Sequence, residues 1–289
     1  MTDIAIIGAG RLGTCLGRSL SKVGYRITSL TAKTLQEAQE SKGIIGQGNP
    51  GTDNLYAAGN GDIIILTVPD DLIKKTAEEI ADPALPWINK KVFHCSGLHS
   101  SNILNSLEKL CAATASFHPV QTFPHKKAKS DIFKNIYFSL EGNQQALKTA
   151  EEMINKIGGR VFFIQAEDKP IYHSACSVAS NSLVILLGTA IDLLKHTGLS
   201  EKKSYDILFP LVKKTLQNVK ELSVPGALTG PVKRGDKDTI ERHLESLKKL
   251  PEIKSLYLEL TSRALDLVEK ETGPSSQKLK DLKDFLEEK

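Results

Sequence analysis

Apolar and polar positions along the chain follow two different rhythms. Up to residue 165, short runs rich in β-branched residues recur, with stretches of period near 3.6 between them. The apolar run from Ile4 into Gly8, and then 25–30, 62–68, 91–95, 113–117, 135–140 and 160–164, read as strands. Residues 14–23, 71–80 and 144–157 read as helices, and 43–61 as a glycine-rich loop with little periodicity. Strands covered on both faces lose the in-and-out alternation of a half-buried sheet, so a mainly parallel sheet with helices on either side is expected. From Ala166 onward the strand signals stop. Helical patterns run over 168–196, ending at the natural left-handed cap Gly198, and then over about 200–222, 236–250, 251–272 and 275–287. The expected fold class is therefore α/β: a mainly parallel sheet domain over residues 1–165, followed by an all-helical domain over 166–289.

Composition narrows this picture only a little. With 289 residues, 25% of them charged, and a formal net charge of +4, the chain is long enough for two domains and too weakly basic for a nucleic-acid surface. The four cysteines, Cys15, Cys95, Cys111 and Cys176, lack the paired spacing of a zinc site or disulfide frame, so reduced thiols and no bound metal are expected. The first strand begins almost at residue 1, leaving no room for a signal peptide, and a cytoplasmic protein is expected. Residues 175–194 are apolar and about long enough to cross a bilayer, but they contain Ser177, Ser180, Asn181, Ser182 and Asp192. A buried helix, with no membrane partner, is the expectation.

Candidate chemistry begins at the first turn. Ile-Ala-Ile-Ile-Gly-Ala-Gly-Arg-Leu-Gly, residues 4–13, carries Gly8, Gly10 and Gly13 at the spacing of a dinucleotide-binding turn. Gly8 permits the sharp turn, Gly10 the approach of a pyrophosphate, and Gly13 close packing of helix on strand. Ala9, Arg11 and Leu12 complete the loop, whose helix N-terminus favours negative charge. An NAD site would place an acid at the end of the second strand. Here Ser29, Thr31, Lys33 and Thr34 stand there instead, and with Arg11 nearby they favour NADP. Val68 and Pro69, at the end of another strand, suit an apolar wall beside the cofactor; Asp70 and Asp71 read more simply as a helix cap and a first-turn acid.

Open parallel sheets bind ligands beyond the carboxyl ends of their strands, so chemistry is sought at the other strand ends too. Ser96 and Gly97 offer a hydroxyl and an open amide, although helix capping also explains Ser96. His118, held by Pro119, can pass a proton to or from the oxygen or nitrogen on the carbon that exchanges hydride; a structural histidine is the competing reading. Lys169, His173, Ser177 and Asn181 recur every four residues, a polar stripe drifting only about 40° per step on one helix. It faces either a ligand cleft or an interface. Thr229, Gly230 and Pro231 form an interhelix turn, after which Lys233 and Arg234 can receive a carboxylate or phosphate.

As a set, these motifs resemble a family of uncharacterised proteins, often labelled NADP oxidoreductases, with a Rossmann-like domain and a helical domain of unknown function. The carriers are the glycine turn, Thr67-Val68-Pro69-Asp70, Cys95-Ser96-Gly97, His118 through Phe123, Lys169 through His173 with Ala179-Ser180-Asn181, and Ala227 through Pro231 with Arg234-Gly235-Asp236. More distantly, the plan is similar to ketopantoate reductase, pyrroline-5-carboxylate reductase and prephenate dehydrogenase. Prephenate dehydrogenases use a His-Pro pair after a late strand, which His118-Pro119 matches. Ketopantoate reductases carry a lysine and two asparagines at steps of four, where this chain has His173, Ser177 and Asn181, only the last matching in type. Their substrate-holding glutamate is absent, since Thr239 is followed by Ile240, which disfavours ketopantoate.

The resemblance implies an NADP-dependent enzyme moving hydride to or from a small, anionic carbonyl, imine or hydroxy compound. His118, His173, Ser96 and Asn181 are the candidate catalytic groups, and Arg234, Thr229 and Lys169 the candidate substrate ligands. A homodimer is expected through the long apolar helix. The alternative is a non-catalytic NADP sensor or dimeric scaffold.

Overall fold

The computed structural model describes residues 2–127, 131–272 and 276–289. Its first half runs β1 (Asp3–Ile7), α1 (Arg11–Lys22), β2 (Arg26–Thr31), α2 (Leu35–Ile45), β3 (Asn49–Gly51), α3 (Asn54–Gly59), β4 (Ile63–Leu66), α4 (Asp70–Ile80), β5 (Lys91–His94), the short α5 (Asn105–Glu108), β6 (Ala113–Pro119), β7 (Tyr137–Gly142), α6 (Gln144–Lys156) and β8 (Arg160–Phe163). These strands form one eight-stranded sheet in the order β3-β2-β1-β4-β5-β6-β7-β8. Every pairing is parallel except β6 with β7. The mainly parallel, Rossmann-like sheet expected from the sequence is thus present.

Alternate side chains of a strand point to opposite faces, and both faces are covered. Ile4 and Ile6 of β1 pack with Leu16, Leu20 and Phe93 on one side. Ala5 and Ile7 pack with Ile64, Leu66 and Val92 on the other. The strand order reverses between β1 and β4, and a crevice opens there beyond the strand ends.

Three features depart from the sequence reading. Residues 43–61 are not an unstructured loop but contain the end of α2, the edge strand β3 and α3. β3 is Asn-Pro-Gly, too short and too polar to show a strand rhythm, and its pairing with β2 is what makes it a strand. The local signals were caps: Thr34 and Glu37 form a reciprocal capping box on α2, and the Asp53 side chain accepts from Tyr56 N on α3. The helix expected over 168–196 is α7 (Lys169–Ser177), a π-turn over Val178–Ser182, and α8 (Leu183–Lys195). A π-turn is wider than an α-turn, so the polar stripe keeps its face only through α7, and Asn181 leaves it.

The chain divides into two compact units, Met1–Ala179 and Ser180–Lys289. The last strand ends at Phe163, but α7 stays with the first unit. In the second unit α9 (Glu201–Ala227) is broken at Ser223, whose φ is 68°, and is followed by α10 (Pro231–Arg234), α11 (Lys237–Ser246), α12 (Pro251–Thr272) and α13 (Gln277–Glu287). Ser275, the expected start of the last helix, lies outside the described residues. Val232, Ile240, Leu265, Val268 and Leu282 anchor this unit's core.

The apolar helix is not buried, contrary to expectation. By length and composition the helical stretch Ala166–Lys195 could cross a membrane, yet none of its apolar window is covered. Val184 is 71% and Ile185 64% exposed, and Ile207, Phe209 and Leu211 of α9 are exposed as well.

Candidate functional site

The glycine turn does what its spacing requires. Gly8 sits at φ +92°, and a Cβ there would lie 2.8 Å from Val68 N. At Gly13 a Cβ would meet Thr67 Oγ1 at 2.3 Å, so this residue lets α1 pack onto the sheet. Gly10 is different, because the nearest atom to its absent Cβ is 3.8 Å away. Its bare face opens onto space. The turn is tied down by Gly8 N and Ala9 N, both donating to Thr31 O, and by Ser41 Oγ and Thr14 Oγ1, both donating to Ala9 O. No side chain caps the N-terminus of α1, and its first turn contains no acid. Its free amides therefore remain available to an anion.

A cleft of about 660 Å³ opens at this turn. Of the residues expected to hold a cofactor, Gly8, Ala9, Gly10, Thr31, Lys33, Val68 and Pro69 line it. Arg11, Leu12 and Gly13 are not among its lining residues and form the first turn of α1. The cleft is also lined by Thr52, Asn54, Lys75, Thr76 and Lys126, which the sequence reading did not include. Thr31 Oγ1 donates to Asn54 Oδ1 at 2.7 Å. Glu37 reaches the cleft wall, but its carboxylate accepts from Thr34 N in the capping box. Glu79 is engaged by Asn54 Nδ2. The uncapped helix end, the bare Gly10 and the lysines fit a phosphate-bearing dinucleotide.

Beyond Pro69 the wall continues into a cluster at the ends of β4, β5 and β6. Asp70 is both the first residue of α4 and the acceptor of Ser96 Oγ at 2.8 Å. Ser96 Oγ also accepts from Leu98 N and His99 N. Its carbonyl accepts from Lys169 Nζ at 3.2 Å and from Ser116 Oγ at 3.3 Å. Ser96, expected to touch substrate, is therefore spent on internal bonds. Its effect is to fix the Ser96–Gly97 peptide. His94 helps from below: Nδ1 accepts from Ser96 N, and Nε2–H donates to Ser100 O. Burial, the largest cause, and then Lys169 push its pKa down to about 3, so this histidine is neutral.

Lys169 is also corrected. Expected at the substrate, its side chain is fully buried, and Nζ donates to Ser96 O and, at 2.6 Å, to Ser116 Oγ. Burial holds its pKa down at about 8, against the raising influence of Glu141 and Asp70. It is a positioning residue for the Ser96–Gly97 peptide.

Above that peptide lie two histidines. A Cβ on Gly97 would fall 2.4 Å from His173 Nδ1 and 3.0 Å from both Nε2 and Cε1 of His118. Only glycine leaves the rings that close. The two imidazoles meet edge to face with centroids 5.9 Å apart. His118 Nδ1 is 2.6 Å from the Tyr172 hydroxyl. Burial, then the charge of Lys169, then His173 push His118 down to about 4, so its ring is neutral at physiological pH. Burial raises Tyr172, which keeps its proton. With Tyr172 donating to Nδ1, Nε2 carries the remaining ring proton and faces Gly97. His173 Nδ1 is buried with no hydrogen-bond partner among the described residues. Such an orphaned polar atom costs about 1–3 kcal/mol unless a ligand meets it.

Tyr172 was missed by the sequence reading, although it stands beside His173 in a singled-out motif. The remaining candidates, Asn181, Thr229 and Arg234, lie in the second unit. Asn181 is on the π-turn and exposed. Thr229 is exposed just before Gly230, the residue preceding α10. Arg234 lies 3.6 Å from Asp236, whose carboxylate also caps α11 by accepting from Thr239 N.

Residues 3–86 match the family described as NADP oxidoreductase, coenzyme F420-dependent, and residues 136–264 match a domain of unknown function, DUF2520. A Bacillus subtilis protein described as an uncharacterised oxidoreductase is 24% identical over 215 residues, 71% of each chain. A Bacteroides fragilis crystal structure, described as a "putative NADP oxidoreductase", is 26% identical and superposes with a TM-score of 0.76 over 91% of this chain and 97% of its own. A pyrroline-5-carboxylate reductase from Coxiella burnetii, 19% identical over 92% of this chain and 98% of its own, shares the fold with a TM-score of 0.57. The two matches follow one another along the chain, the first running from β1 through α4 and the second from β7 into α12.

Proposed function

We propose that the protein uses NADP to move a hydride between the nicotinamide and a small, anionic carbonyl, imine or hydroxy compound. The observation that carries this reading is the pair of imidazoles closed onto Gly97, His118 with its Nε2 and His173 with its orphaned Nδ1, one strand over from the cleft wall at Val68 and Pro69. The cofactor, when bound, supplies hydride chemistry. His118 donates its Nε2 proton to the substrate oxygen or nitrogen as hydride reaches the adjacent carbon, with Tyr172, which donates to Nδ1, fixing this tautomer. His173 Nδ1 orients the same group. Lys169 and Ser116 hold the Ser96 carbonyl, which fixes the plane of the Ser96–Gly97 peptide under the two rings.

The preference for NADP rests on what surrounds the end of β2. No acid directly follows Thr31; Lys33 lines the cleft, and of the two carboxylates on its wall Glu37 is occupied by its own helix cap and Glu79 by Asn54. Calorimetric titration tests this directly, with NADPH expected to bind more tightly than NADH, and equal affinity removing the preference. NADPH consumption with a panel of 2-keto acids and cyclic imines tests turnover. His118→Ala is expected to lower it by about 10²–10⁴-fold while leaving NADPH affinity unchanged. Tight NADPH binding without consumption by any compound favours the sensor or scaffold.

The exposed apolar side chains of α8 and α9 favour pairing with a second copy of the chain in the cytoplasm, because single-chain surfaces rarely leave such patches uncovered. A dimer mass in light scattering supports this pairing, and a monomer at micromolar concentration rules it out.

A further inference from the structure

The segment that leaves the site at Pro119 returns to the cofactor cleft. Val120 N donates to Tyr137 O and Gln121 N to Pro119 O, and the chain then crosses to α1, where Cys15 Sγ lies 3.6 Å from His125 O and 3.4 Å from Lys126 O. The backbone of Lys126 is thereby seated against the second turn of the helix whose first-turn amides are free. Its side chain, about one-quarter exposed, lines the same cleft as Gly10 and Lys33. The ammonium rests 3.6 Å from Glu40 of α2, longer than a hydrogen bond, and Glu40 is more than half exposed. A loose pair of this kind contributes only about 0–1 kcal/mol, so exchanging its carboxylate for a better-placed anion costs little.

We propose that Lys126 is a ligand for the cofactor's phosphate oxygens and leaves Glu40 when a dinucleotide enters. This rests on the dinucleotide reading of the cleft. It makes the segment from His118 to Lys126 a strap with the proton-handling group at one end and a phosphate-binding cation at the other. The 2′-phosphate and the diphosphate offer the same chemistry to an ammonium.

Dissociation constants for NADPH and NADH, measured on the full chain and on Lys126→Gln, Lys126→Arg and Glu40→Gln, test the proposal. Lys126→Gln is expected to weaken NADPH binding about tenfold with the melting temperature unchanged, and Lys126→Arg to restore most of it. Glu40→Gln is expected to leave NADPH affinity unchanged or to tighten it, because it releases the cation. A Lys126→Gln loss confined to NADPH places the ammonium on the 2′-phosphate; a loss shared with NADH places it on the diphosphate. A purely structural ion pair instead makes both single substitutions weaken binding alike, and that result overturns the proposal, as does unchanged affinity in Lys126→Gln. Wild-type protein that binds neither dinucleotide removes the cleft reading, and the proposal falls with it.

Discussion

Replacing Lys169 with methionine keeps most of the side-chain volume and removes one charge and its donors. In the folded protein, burial lowers this ammonium from 10.5 to about 8. The unfolded chain carries an ordinary lysine near 10.5, so between these values the unfolded state holds one proton more than the folded state. Stability then rises with pH across that window, by at most about 1.4 kcal/mol per pH unit, and is flat below it. The methionine variant lacks this rise. At pH 7 two effects oppose each other. Ser116 Oγ and Ser96 O lose their donor at 2.6 Å and 3.2 Å, though Ser116 Oγ still reaches Ser96 O at 3.3 Å, and a disfavoured buried charge disappears. The wild-type advantage over the variant is therefore small at pH 7 and grows by about 1–3 kcal/mol toward pH 10. Taking the difference cancels the other lysines and tyrosines. Urea unfolding followed by the fluorescence of Trp87 reads the first unit, since this is the chain's one tryptophan and it is buried there. Parallel stability profiles for the two proteins from pH 7 to pH 10 refute the reasoning.

Other consequences are as direct. Gly97→Ala places a methyl 2.4 Å from His173 Nδ1, so one ring must move; the expected cost is about 1–3 kcal/mol of stability, with turnover falling more than NADPH affinity, and an unchanged melting curve contradicts the packing. The His118 ring is expected to titrate near 4 by nuclear magnetic resonance, against an ordinary 6.5. Between those values the unfolded chain takes the proton first, so stability is lost as the pH is lowered from 6.5 to 4 and His118→Gln flattens that loss; a midpoint at 6.5 contradicts the burial. Ile185→Glu, on the exposed face of α8, is expected to convert a dimer to monomers in light scattering with no change in the unfolding of the first unit.

Features written in neighbouring residues were legible in the sequence. Gly8 and Gly13 act through turn geometry and contacts set by the β1–α1 connection, so their spacing was enough to assign them. His118 was found because strand ends in a parallel sheet are where ligands sit. What escaped was tertiary. Tyr172 matters only because α7 brings it onto β6, and Lys126 only because its segment folds back over α1. Lys169 read as a substrate ligand because a lysine on a polar stripe ordinarily seeks solvent, whereas its acceptors lie far off in sequence at Ser96 and Ser116. Ser96 was visible as a polar residue at a strand end, but nothing local shows that six bonds already occupy its amide, hydroxyl and carbonyl groups. Apolar composition along α8 announced burial without saying that, among the described residues, nothing covers its apolar window.

The central claim is that the dinucleotide cleft and the histidine cluster form one site. A crystal structure determined with NADPH tests it most directly. The account predicts the diphosphate on the first-turn amides of α1 and the nicotinamide beyond Val68 and Pro69, against Gly97 and His118. A nicotinamide directed away from the ends of β5 and β6, with His118 and His173 out of its reach, contradicts it.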